Sequence, residues 1–175
     1  MKKLFFLAAT MCAAMAMNAA SFVGFDGRDG SLGTQIRDNG LIQDQVNFKL
    51  SETDPAPKYS IQNETGGEAT TFTMGGISFY ASDATAPKDL WKTFATYIQA
   101  NGARRTMTIP TVAGEQVDVF VQDACTGLVV EGLASASLDL VASGEGKDVP
   151  NTLTATGSQI VIYSNNEGGS AVKPK

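Results

Sequence analysis

Thr70-Thr71-Phe72-Thr73-Met74-Gly75-Gly76-Ile77-Ser78-Phe79-Tyr80-Ala81 decides the fold class of this 175-residue chain. Two five-residue runs of alternating character flank a Gly-Gly pair. Glycine reaches the positive φ values of a two-residue turn without steric cost, and β-branched and aromatic residues suit a pleated strand. The stretch therefore predicts an antiparallel hairpin. On either side the chain repeats the theme. Val46-Asn47-Phe48-Lys49-Leu50 alternates, with Val46, Phe48 and Leu50 on one predicted face. Residues 105–109 alternate before Pro110, and residues 117–121 follow an Ala113-Gly114 turn. Residues 128–130, 137–141, 153–156 and 160–163 complete the series. Turn residues recur about every 8–12 positions, a rhythm that predicts an all-β antiparallel β-sandwich, jelly-roll-like, rather than a βαβ fold.

One segment reads two ways. Leu90, Trp91, Phe94, Tyr97 and Ile98 recur at helical spacing between a capping Asp89 and a terminating Gly102. The same residues also form a strand over 93–100, with Phe94, Thr96 and Ile98 facing one way. Residues 21–66 are looser, with Asp38-Asn39-Gly40 and Asp54-Pro55-Ala56-Pro57, and read as one or two strands with long loops. The predicted organisation is residues 1–20 as a leader, 21–66 packed on or leading into the sandwich, and 67–175 as the sandwich itself. No internal repeat is visible.

Met1-Lys2-Lys3, an apolar run over residues 4–16 and small residues to Ser21 have the layout of a cleaved secretory signal peptide. A spanning helix needs about 20 apolar residues, and the run stops earlier. Ala14-Met15-Ala16 suits the peptidase, with cleavage after Ala16, Ala19 or Ala20 open. Thr10-Met11 before Cys12 is a poor lipobox, which argues against a lipid anchor. The expected location is outside the cytoplasm, extracellular or periplasmic.

The formal charge is −5, and two units more negative once Lys2 and Lys3 leave. Arg104-Arg105 is the only basic pair in the mature chain, so nucleic acid is a poor partner, because binding it requires replacing many counterions. Loss of Cys12 leaves Cys125 without an intramolecular partner. The chain contains no histidine, which excludes Ser-His-Asp and Cys-His machinery and His-ligated zinc. No cofactor is expected.

Asp26-Gly27-Arg28-Asp29-Gly30 has calcium-loop flavour, but Arg28 stands where an acid belongs and no closing Glu follows, so it reads as a solvated turn. Glu115, Asp118, Asp123, Glu131, Asp139, Glu145 and Asp148 are spread over turns and polar faces, with no pair singled out for glycoside hydrolysis. Aromatic rings beside polar groups suit the apolar C–H faces of sugars. The candidate ligand-binding residues are Trp91, Tyr80 and Tyr97 with Asp83, Asp89 and Gln99, and Tyr59 as a weaker member. The competing reading of Trp91, the single tryptophan, is core filler.

From Thr71 onward the segment order resembles the small secreted β-sandwich domains of gut Bacteroidetes, often appended to pectate-lyase-type β-helix enzymes. The resemblance rests on Gly75-Gly76-Ile77-Ser78-Phe79-Tyr80-Ala81, on Arg105-Thr106-Met107-Thr108-Ile109-Pro110, on Ala113-Gly114-Glu115-Gln116-Val117 and on Ile160-Val161-Ile162-Tyr163-Ser164. It implies a strand over 93–100, leaving one helical turn at 87–92, and an accessory role in polysaccharide use. The catalytic β-helix, with its calcium aspartates and arginine base, has no counterpart here. The family pattern adds a strand after Val172-Lys173-Pro174-Lys175. Its lack implies either a truncated product, such as an accessory domain of a polysaccharide lyase, or a sheet edge left for a partner or for self-association. The resulting expectation is a secreted, non-catalytic glycan-binding protein; the alternative is a surface adhesin or structural module pairing through that edge.

Overall fold

The structure, a computed structural model, describes residues 23–53, 58–63, 70–81, 89–100, 105–122, 128–134, 140, 149–164 and 173–175. Among these the order is α1 (Leu32–Asn39), β1 (Ile42–Val46), β2 (Phe48–Thr53), β3 (Lys58–Asn63), β4 (Thr70–Met74), β5 (Ile77–Ala81), β6 (Asp89–Thr93), β7 (Ile98–Ala100), β8 (Arg105–Pro110), β9 (Gln116–Val119), β10 (Leu128–Glu131), β11 (Asn151–Thr154) and β12 (Gln159–Ser164). The predicted leader, Cys12, Asp83, Cys125 and, apart from Leu140, the strand expected over 137–141 lie outside the described residues.

All strand pairs are antiparallel. They form a six-stranded sheet in the order β1-β4-β5-β8-β12-β10, a four-stranded sheet β2-β3-β6-β7 and a ribbon β9-β11, none closed into a barrel. The Gly75-Gly76 hairpin is present. Both glycines have positive φ, 57° and 79°, as a type I′ turn requires, and Phe72 pairs with Phe79 across it.

One face of the large sheet is apolar in register. Phe72, Phe79, Met107, Ile162 and Val130 stand opposite one another across five strands, each at most 1% exposed. Trp91 of β6 meets the Phe79 ring edge-on at 5.0 Å, and Phe48 of β2 approaches Phe72 at 5.4 Å. Ile109 of the large sheet and Val117 of β9 line a small cavity of about 70 Å³. The two smaller sheets thus pack on the same inner face, an arrangement consistent with a β-sandwich.

Three expectations are corrected. Residues 93–100 form neither a single strand nor a helix. The chain reverses at Phe94–Tyr97 between β6 and β7, and the expected helical turn is strand from Asp89. Val46 and Phe48 do not share a face. Asn47, at φ 55°, is a left-handed corner that passes the chain from the six-stranded to the four-stranded sheet, so Val46 is 50% exposed and Phe48 is buried. Residues 21–66 hold a helix and three strands rather than one or two strands. In α1, Leu32 and Ile36 are buried one turn apart and Gly40 closes the C-terminus at φ 59°. The helix is short, with no side-chain cap at Ser31 and no acid in its first turn, so its sequence signal is faint.

The tail is also strand-like. Val121 bridges Pro174, and the Gln122 and Lys175 N–H groups donate to Lys173 and Phe120 carbonyls. On the other side the Ile98 N–H donates to the Pro174 carbonyl. Residues 173–175 therefore lie between β7 and the continuation of β9.

Candidate functional site

The residues expected to form a ligand platform are dispersed. Trp91 has no exposed surface; it is enclosed by Phe72 and Phe79, and its indole N–H has no hydrogen-bond partner among the described residues. It cannot act as a surface platform. Burial repays an indole through its large apolar area, and the edge-to-face geometry adds to that. Tyr59 is also buried, and burial raises its phenol pKa. Tyr97 sits in the β6–β7 turn, its ring stacked on Phe94 at 4.5 Å, with the Lys58 ammonium 5.4 Å from the Phe94 centroid. Gln99 lies opposite Lys92 on the small sheet, and Asp89 lies opposite Gln62. Asp83 is outside the described residues. Tyr80 is well exposed, at 39%.

Strand register gives Tyr80 different neighbours. In β5 the buried residues are Ile77, Phe79 and Ala81, so Ser78 and Tyr80 face outward. Across the sheet Tyr80 stands opposite Thr71 on one side and Thr106 on the other, and Thr106 stands opposite Tyr163. Val46 and Val129 extend this outer row to both edges. A parallel row runs Thr73, Ser78, Thr108, Val161, Glu131. The two tyrosines are two strand spacings apart, about 9–10 Å between backbones. The Tyr163 hydroxyl donates to Glu131 Oε1 at 2.8 Å, and this hydrogen bond raises its pKa. The result is a face of hydroxyls flanked by two rings. Tyr163 was missed because alternation along its strand marks it as outward-facing, while only the pairing of β12 with β8 brings it near Tyr80.

A second concavity lies at the N-terminal loop. Asp26 and Arg28 form a bidentate pair, with contacts of 2.9 and 2.6 Å, and the Arg28 guanidinium lies 4.0 Å from the Phe120 centroid. Asp29 accepts from the Ser31 N–H and hydroxyl. These donors hold the Asp26 and Asp29 carboxyls below the usual carboxylate range. Arg37 does the same for Asp38. A general acid needs the opposite shift. The Asp26–Gly30 stretch is a self-satisfied turn, and among the described residues no cluster of three metal-ligating side chains occurs. No described helix is long and apolar enough to cross a membrane.

No protein-family model matches the chain, and neither a curated protein nor a solved structure does.

Proposed function

We propose that this chain is an exported, non-catalytic β-sandwich protein that binds glycan on the outer face of its six-stranded sheet. The observation that carries the reading is the cross-strand row Thr71–Tyr80–Thr106–Tyr163. Two rings offer apolar faces to sugar C–H groups at a separation suited to alternate residues of an extended chain, and the Thr106 hydroxyl between them and the Thr71 hydroxyl beside Tyr80 offer donors and acceptors. The signal-like residues 1–20 and the resemblance of the strand motifs to accessory modules of polysaccharide-degrading systems support the same role.

Isothermal titration over a panel of pectins, xylans and host glycans tests it. The expected result is saturable binding to at least one glycan, weakened about tenfold, or about 1.4 kcal/mol, by Tyr80→Ala. Absence of any binding tighter than millimolar across the panel would sink the proposal.

A further inference from the structure

Residues 173–175 are placed as an inserted strand. Their backbone bonds run to both sides: Gln122 N–H to Lys173 O at 2.9 Å, Lys175 N–H to Phe120 O at 3.0 Å, and Ile98 N–H to Pro174 O at 3.0 Å. The four-stranded sheet and the β9-β11 ribbon meet only through this insertion in backbone pairing among the described residues. With it, the second layer runs β2-β3-β6-β7, tail, β9-β11. Both walls are anchored independently of the tail. β7 pairs with β6 from Ile98 to Ala100, and β9 pairs with β11 from Gln116 to Val119. Val121 and Ile98, on either side, are fully buried.

We infer that the cleft between β7 and Phe120–Gln122 is a strand-accepting slot that also takes the tail of a second copy of this chain in trans, in competition with its own tail, which the short linker favours. Recognition is largely main-chain, as in strand addition at a sheet edge. The occupant is defined by what the slot holds: an extended segment centred on Pro174, whose carbonyl accepts from Ile98 and whose missing N–H removes one donor that would otherwise require a partner. Eight residues, 165–172, separate β12 from residues 173–175, and at full extension they reach at most about 26–29 Å. Exchange between copies replaces each lost contact with an identical one, so it costs little beyond association.

The test is a chain ending at residue 172, offered a labelled peptide of residues 168–175. The expected outcome is one-to-one binding by fluorescence anisotropy, with recovery of the melting temperature lost on truncation. A peptide with Pro174 and Lys175 exchanged in order serves as the control and binds at least tenfold more weakly. A folded truncated chain that ignores the peptide overturns the inference, as does a melting temperature unchanged by truncation. If truncation prevents folding, refolding with the peptide decides. Recovery of the native circular dichroism spectrum only when peptide is present supports the slot, and no recovery overturns it.

Discussion

Two hairpins in this molecule reverse the chain by different means. Between β4 and β5 the reversal is written locally: Gly75 and Gly76 supply the two positive φ values themselves. Between β6 and β7 the turn is Phe94-Ala95-Thr96-Tyr97, with no Gly, Asn, Asp or Pro. It is held from outside. Phe94 N–H donates to Tyr97 O, the two rings stack, and the α1 residue Leu32 donates its N–H to the Ala95 carbonyl. Gly27 lies so close beneath that a Cβ there would stand 2.8 Å from the Thr96 oxygen. A turn made by its own residues is legible in sequence, whereas one made by its neighbours is not.

The contrast can be broken first at the residue that joins the two hairpins. Trp91 of β6 packs on Phe72 and Phe79 of the Gly-Gly hairpin, so Trp91→Ala empties the shared core. The expected loss is about 3–5 kcal/mol, read as a lower urea midpoint. That is a large fraction of a typical domain's stability.

The next test separates the two kinds of turn. Gly75→Ala forces a side chain into positive φ and against the Gly24 carbonyl, with an expected cost of about 2–3 kcal/mol. Gly27→Ala acts at a distance. It should cost about 1–2 kcal/mol and loosen amide-exchange protection at Ile98 more than at Phe79. Equal loss of protection at both sites would remove the distinction between the turns.

The smallest expected effect is acid sensitivity of the loop that buttresses the second turn. The Arg28 side chain, foremost, lowers the Asp26 pKa, so the folded value lies below the unfolded one. The contribution is complete above the ordinary carboxylate pKa of about 4 and is lost as pH falls through the lowered folded value. Melting temperature should decline below about pH 4, less steeply in Asp26→Asn. Because the pair is exposed, the difference should be only a degree or two. An identical decline in both proteins would show that the pair does not support the loop.

The same local-versus-tertiary divide explains what the sequence disclosed of the fold. The strands containing Arg105–Pro110, Gln116–Val119 and Gln159–Ser164 fall where alternation and flanking turn residues place them. Residues 42–53 deceived because their alternation continues through Asn47 while the chain changes sheets there. Of the candidate site, Tyr80 lies on the surface, as alternation along its strand implies. Trp91 follows the competing reading, core filler, rather than the platform that Lys88, Asp89 and Lys92 beside it suggested, because a strand with polar neighbours can still send one ring fully inward.

Composition and local pattern thus established an antiparallel β chain without histidine chemistry, with its principal turn at Gly75-Gly76. These properties follow from residue type and short-range geometry alone. Which strands pair, where the tail inserts and which rings share a face were decided by tertiary register. Each side chain's face follows from alternation along its own strand, but its neighbours depend on a strand many residues away.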